Sequence, residues 1–171
     1  MNQSESYVFD ILKKYSKGGE WKFFEVFDEK GKTKPQSKNY GSGFVAYPDF
    51  EFYSDKKLML LVEVKGYNGY FEDRDSTVAM KYRVYKGYKQ VRVNENVDVR
   101  ICFSIKFSNG EIILFWETLD NIIKFPKYIQ KHYYREFDYS SGQVVEKCED
   151  YIYWKVEDFR TDHKNLPIVS Q

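Results

Sequence analysis

Residues 47–66, YPDFEFYSDKKLMLLVEVKG, hold the reading on which the fold turns. Two runs rich in apolar residues, 49–53 and 58–65, flank the polar Ser54-Asp55-Lys56-Lys57, the pattern of a β-hairpin. Leu58 to Val64 is nearly continuous apolar, as expected of a central strand covered on both faces. Yet this strand carries Glu63 and Lys65, which alternation puts on one face, with Val64 on the other. A charged pair at the end of an apolar strand is costly unless it is used or paired. If Tyr53 opposes Met59, then Asp49 lies directly opposite Glu63, and carboxylates facing each other across strands repel. A divalent cation turns that repulsion into coordination, because hard cations take oxygen ligands from carboxylates, backbone carbonyls and water.

Working outward, residues 4–15 read as a helix. Val8, Ile11, Leu12 and Tyr15 recur at helical spacing, and Lys17-Gly18-Gly19 stops the pattern. Residues 21–27 read as a strand. The polar stretch 29–43, EKGKTKPQSKNYGSG, is a loop long enough to matter functionally. Residues 67–75 are expected to be another loop and 76–90 a helix, with Val78, Tyr82 and Tyr85 on one stripe. Strands at 97–107 and 111–117 surround Ser108-Asn109-Gly110, a strong hairpin turn. Residues 119–135 read as mixed helix and loop interrupted by Pro126, 143–148 and 150–156 as a further hairpin or edge strand, and the last ten residues as a tail. The order predicts an α/β fold around a mixed sheet.

Composition excludes several classes. The chain has 171 residues with 33 aromatics, enough for a substantial core. Lys plus Arg number 27 against 26 acids, so global charge names no partner. The two cysteines, Cys102 and Cys148, and two histidines, His132 and His163, do not have zinc-cluster spacing. Cys102, on an apolar strand, reads as a buried small hydrophobe, and the histidines as isolated. No apolar stretch approaches membrane-spanning length and no signal peptide is legible, so a soluble cytoplasmic protein is expected, with no membrane partner. Phosphate-loop ATP hydrolysis has no motif here.

With Pro48-Asp49 on one strand and Glu63-Val64-Lys65 on the next, 13 residues between the two acids, the sequence resembles the PD-(D/E)XK nuclease superfamily. The [DE]-X-K spacing also occurs at Glu20-Lys22, Asp28-Lys30, Asp55-Lys57 and Asp162-Lys164. Only Glu63-Lys65 combines an apolar strand, a Pro-Asp on its pairing strand and a following helix. The resemblance implies a restriction-endonuclease-like α/β core, a central mixed β-sheet flanked by helices, over about residues 5–117. Residues 118–171 would be an extension packed on that core within a single nuclease-like domain. It implies a Mg²⁺- or Mn²⁺-dependent hydrolase of phosphodiester bonds, with DNA as the expected substrate and a homodimer permitted. Asp49 and Glu63 would be metal ligands, with the Val64 carbonyl as a third. Lys65 would orient or help deprotonate water and stabilise charge on the scissile phosphate. Many members carry a first-helix glutamate facing the site, a role Glu5 fits by phase. The competing reading of Glu5 is an acid favoured near a helix N-terminus. Glu25 is a weaker candidate, and Glu51 shares the Asp49 face.

Two segments are locally basic: 81–92, KYRVYKGYKQVR, and 124–135, KFPKYIQKHYYR, both without an acid. Lys81, Arg83, Lys86, Lys89 and Arg92 are the expected nucleic-acid contacts, with tyrosines available to stack on bases. Lys81 is the candidate for the lysine or glutamine that the resembled family places on the helix after its (D/E)-X-K strand, with Lys86 and Gln90 behind it. The alternative is a non-catalytic module on the same scaffold that binds nucleic acid or protein, an inhibitor included.

Overall fold

The computed structural model describes residues 1–68 and 76–169. Its centre is a five-stranded sheet in the order β1-β6-β7-β9-β10. These are β1 (Glu20–Phe23), β6 (Phe50–Ser54), β7 (Lys57–Asn68), β9 (Asp98–Lys106) and β10 (Ile112–Thr118). All neighbours are antiparallel except β7 and β9, which run parallel. A parallel pair needs a long crossover. Here it passes through β8 (Thr77–Lys81) and α2 (Tyr82–Glu95). The fold is therefore α/β with a central mixed sheet flanked by helices, the arrangement expected of a restriction-endonuclease-like core.

α1 (Gln3–Tyr15) covers one face. Its Val8 and Leu12 are buried against Phe50, Leu60, Val62, Val64 and Cys102. Gly66 lets α1 approach the end of β7, since a Cβ there would meet the Ser4 Oγ at 2.3 Å. The other face takes α2 and a second sheet, in which β12 (Gln143–Lys155) lies between β11 (Lys127–Asp138) and β8, with Leu61, Ile101, Phe103, Tyr88, Ile152 and Trp154 between the layers. The strict alternation of Leu61 and Glu63 against Val62 and Val64 thus sorts β7 between two cores.

Between β1 and β6 the polar loop builds two small ladders, β2 (Val26–Phe27) with β3 (Thr33–Lys34) and β4 (Ser37–Asn39) with β5 (Phe44–Ala46). Lys38 and the Tyr40 hydroxyl both hold Glu95 at the end of α2, at 2.5 and 2.7 Å, which pins this flap to the body.

Several sequence expectations are corrected. Residues 77–81 are strand, not helix: Val78 and Met80 alternate into the core while β8 pairs with β12. Val78, Tyr82 and Tyr85 fit a helical stripe by spacing, but the helix begins only at Tyr82. The stretch 21–27 splits into β1 and β2. After the short helix α3 (Leu119–Ile122), Pro126 does not break a helix but precedes β11 (Lys127–Asp138), a place where no ladder N–H is lost. The two segments at 143–156 are one strand, β12 (Gln143–Lys155). The last residues are not a free tail. Leu166 is buried, and buried Arg100 donates to the Leu166 carbonyl at 2.6 Å. Of the expected loop 67–75, Tyr67 and Asn68 belong to β7, and 69–75 lie outside the described residues.

Gly19 makes the turn from α1 into β1 with φ of 75°, and a Cβ there would sit 2.5 Å from both the Phe52 ring and the Tyr53 carbonyl. Gly19→Ala is expected to destabilise the fold by about 2–3 kcal/mol. Thermal denaturation checks this; an unchanged melting temperature contradicts it.

Candidate active site

The β6–β7 hairpin turns through Asp55 and Lys56, both at positive φ, the twist a two-residue hairpin needs. From Phe50↔Val62 to Phe52↔Leu60 the register is the one that carries Asp49 level with Glu63. A bulge follows, and Tyr53 faces Leu58 instead of Met59. The pairing expected at the turn end is thus displaced by one residue, while the ladder from Phe50↔Val62 to Phe52↔Leu60 keeps the expected register up to the residue after Asp49.

Both acids are buried, Asp49 at 4% and Glu63 at 3% exposure. The Val64 N–H donates to Asp49 Oδ2 at 2.8 Å, which fixes the Asp49 side chain across the strand gap. The Lys65 ammonium pairs with Glu63 Oε1 at 2.9 Å. Glu63 Oε2 is buried without a hydrogen-bond partner among the described residues. Leaving a carboxylate oxygen in that state is unfavourable unless something else occupies its lone pairs.

Electrostatics reflect the crowding. Burial first, then repulsion from Glu63 and Glu5, pushes the Asp49 carboxyl up to about 9, against the opposing Val64 N–H and Lys65. Burial alone would pull Lys65 down, but the adjacent Glu63 and Asp49 more than offset it, and its pKa rises. The Tyr88 phenol on α2 is held well above its usual range by burial first, then by the charges of Glu63 and Asp49 and by its hydroxyl's hydrogen bond toward the Glu63 carboxylate. Sequence reading did not single out Tyr88, whose position against the acids follows from helix packing across the sheet.

These groups share one cleft of about 620 Å³. Asp49, Glu63, Val64 and Lys65 form its floor, with Glu5, Lys81, Arg83 and the flap residues Gln36 and Phe44 among its walls. Glu5 lies both at the helix N-terminus and at the cleft. It is N3 of a capping box, its carboxylate accepting from the Asn2 N–H at 2.8 Å, and it borders the cleft closely enough to act on Asp49. Glu51 is instead taken up by the Tyr47 and Tyr53 hydroxyls, each at 2.9 Å, and Glu25 is exposed away from the cleft.

The expected nucleic-acid contacts divide. Lys81 and Arg83 stand at the cleft and share Glu149, Lys81 at 3.4 Å. Lys86 and Gln90 line an adjoining groove between α2 and β5. Lys89 lies over the Tyr85 ring, and Arg92 pairs with Asp120 beside α3, so neither lines the cleft. The flap walls were legible only as a loop.

Among the described residues no group of three or more histidine, cysteine or acidic side chains is placed to hold a metal. A hard divalent cation does not require one: two carboxylates, one of them with an unpartnered buried oxygen, fit an ion that completes its shell with backbone carbonyl and water. Cys102 is fully buried in the α1-side core, and its thiol is pushed up by that burial, so it offers no nucleophile.

No helix among the described residues is long and apolar enough to cross a membrane. No family model matches the chain, and no curated protein matches it. Among solved structures the chain is similar to that of Hjc, a Holliday junction resolvase from the archaeal hyperthermophile Archaeoglobus fulgidus, with 9% identity, coverage of 99% of this chain and 100% of that one, and a TM-score of 0.44.

Proposed function

We propose that this protein is a metal-dependent nuclease that hydrolyses phosphodiester bonds in DNA, using Asp49, Glu63 and Lys65. The observation that carries the reading is the convergence of two buried carboxylates and a lysine in one open cleft. Stability alone gives no reason to bury like charges together. Asp49 and Glu63 would hold Mg²⁺ or Mn²⁺, with the Val64 carbonyl as a further ligand and Glu5 acting through water. Bound there, the ion lowers the pKa of water and offsets charge developing on phosphate. Lys65 supplies a second cation beside the attacked phosphate and orients the water. Lys81 and Arg83 at the cleft wall anchor the substrate backbone.

The direct test incubates labelled single-stranded, duplex and branched DNA, and RNA, with the protein in Mg²⁺, Mn²⁺ or EDTA. Products that require the metal and are suppressed by EDTA are expected on at least one DNA. No cleavage of any substrate with either metal overturns the proposal.

A further inference from the structure

β11 and β12 form a ribbon of 12 and 13 residues that, among the described residues, is held to the body at one end, where β12 residues 151–155 pair with β8. At that end one face of the ribbon packs Ile152 and Trp154 into the core. The register places Tyr128, His132, Tyr134, Tyr151 and Tyr153 together on the opposite, outward face. Their rings touch. Tyr128 stacks on Tyr153 at 4.8 Å and 3°, and His132 meets Tyr151 at 5.0 Å and Tyr134 at 6.2 Å.

This row begins at the cleft. Lys81, a cleft residue, sits 5.8 Å over the Tyr134 ring, and the Tyr134 hydroxyl donates to Glu149, the acid shared by Lys81 and Arg83. Charge is graded along the ribbon. On the aromatic face the end near the cleft carries Lys81, Lys147 and Lys155 against Glu149, with Lys127, Lys131 and Arg135 alternating onto the opposite face, while the tip, 136–146, carries three acids and no base. An anionic partner is therefore favoured on the aromatic end beside the site and disfavoured at the tip.

We infer that the outward face of the β11–β12 ribbon binds unpaired nucleotides of the substrate, their bases stacking on the Tyr128, His132 and Tyr151 rings while the phosphates meet Lys81 and neighbouring cations. A duplex keeps its bases stacked on one another and has no ring face to offer, so this surface selects a single-stranded or splayed segment. Rings carrying hydroxyl or imidazole groups suit this role: each keeps a polar edge in water while offering a π-face to any base. The inference rests on the nuclease reading for the identity of the substrate, but it is tested by binding alone.

The experiment measures fluorescence anisotropy in EDTA, with a labelled oligothymidylate of about 20 nucleotides and a duplex of equal length, so no cleavage enters. Tyr128→Ala/His132→Ala is expected to weaken single-strand binding roughly tenfold, to leave duplex binding within about twofold, and to be rescued in large part by Tyr128→Phe/His132→Phe. Circular dichroism confirms that each variant is folded. Equal losses on both probes, no loss on the single strand, or no single-strand binding by the wild type overturns the inference, the last leaving the face to a protein partner. Selective loss in the double-alanine variant upholds it even if the cleavage test above fails.

Discussion

On the proposed nuclease reading, Glu63→Gln is expected to lower metal-dependent cleavage by about 10³-fold or more, because it would remove a charged ligand from the floor of the cleft. The change is nearly isosteric, so the core that buries Glu63 at 3% exposure stays filled. Lys65→Ala should lower cleavage by about 10²–10³-fold through loss of a cation aimed at developing charge. The two variants differ in a second reading. Lys65→Ala should still be stabilised by Mn²⁺ in a thermal melt, because both carboxylates remain, whereas Glu63→Gln should lose that stabilisation. Retained cleavage in folded Glu63→Gln would remove this residue from the chemistry. Loss of the Mn²⁺ response in Lys65→Ala would make the lysine a support for the metal site, not a group acting on phosphate.

Asp49→Asn should make the metal-free protein more stable. The carboxyl is buried, faces Glu63, and holds its proton up to about 9 against an ordinary 3.8. Its pKa is thus raised on folding, and the folded chain binds more protons than the unfolded one between those values. The stability this group contributes is complete below pH 4 and declines as pH rises toward 9. Asparagine removes the slope and keeps an oxygen to accept the Val64 N–H. At pH 8 the gain is expected to be on the order of 2 kcal/mol, roughly 4–8 °C in melting temperature, and it should shrink toward pH 5. Mg²⁺ or Mn²⁺ should stabilise the wild type and not Asp49→Asn. A variant less stable than wild type at pH 8 would mean that the Asp49 carboxyl serves the fold, and the paired acids would lose their functional meaning. A natural chain that keeps the less stable residue fits a site selected for binding a cation.

Local chemistry made the hairpin readable. Apolar residues on both sides of a polar turn leave a strand few alternatives, and the charged residues at the far end of β7 stood out because burial makes them costly. α1 was legible for the same reason: Val8 and Leu12 have one core to face, and Asn2 and Glu5 form a reciprocal cap. Where two periods overlapped, reading along the chain failed. Val78 and Met80 satisfy a strand, Val78 and Tyr82 a helix, and only the partner strand β12 decides between them. β11, read as mixed helix and loop, was illegible for a related reason. Most of β11 and β12 is exposed on both faces, so apolar alternation never develops.

The sequence was enough for the α/β class, the hairpin, and the gathering of Asp49, Glu63 and Lys65 at one end of it, because these follow from contacts between residues close in the chain or from the cost of burying charge. Tertiary structure decided that Tyr88 and the flap line the cleft with the carboxylates, and that five rings of the ribbon line up beside Lys81. Each of those depends on pairing between segments far apart in sequence, and no local period encodes which strands meet.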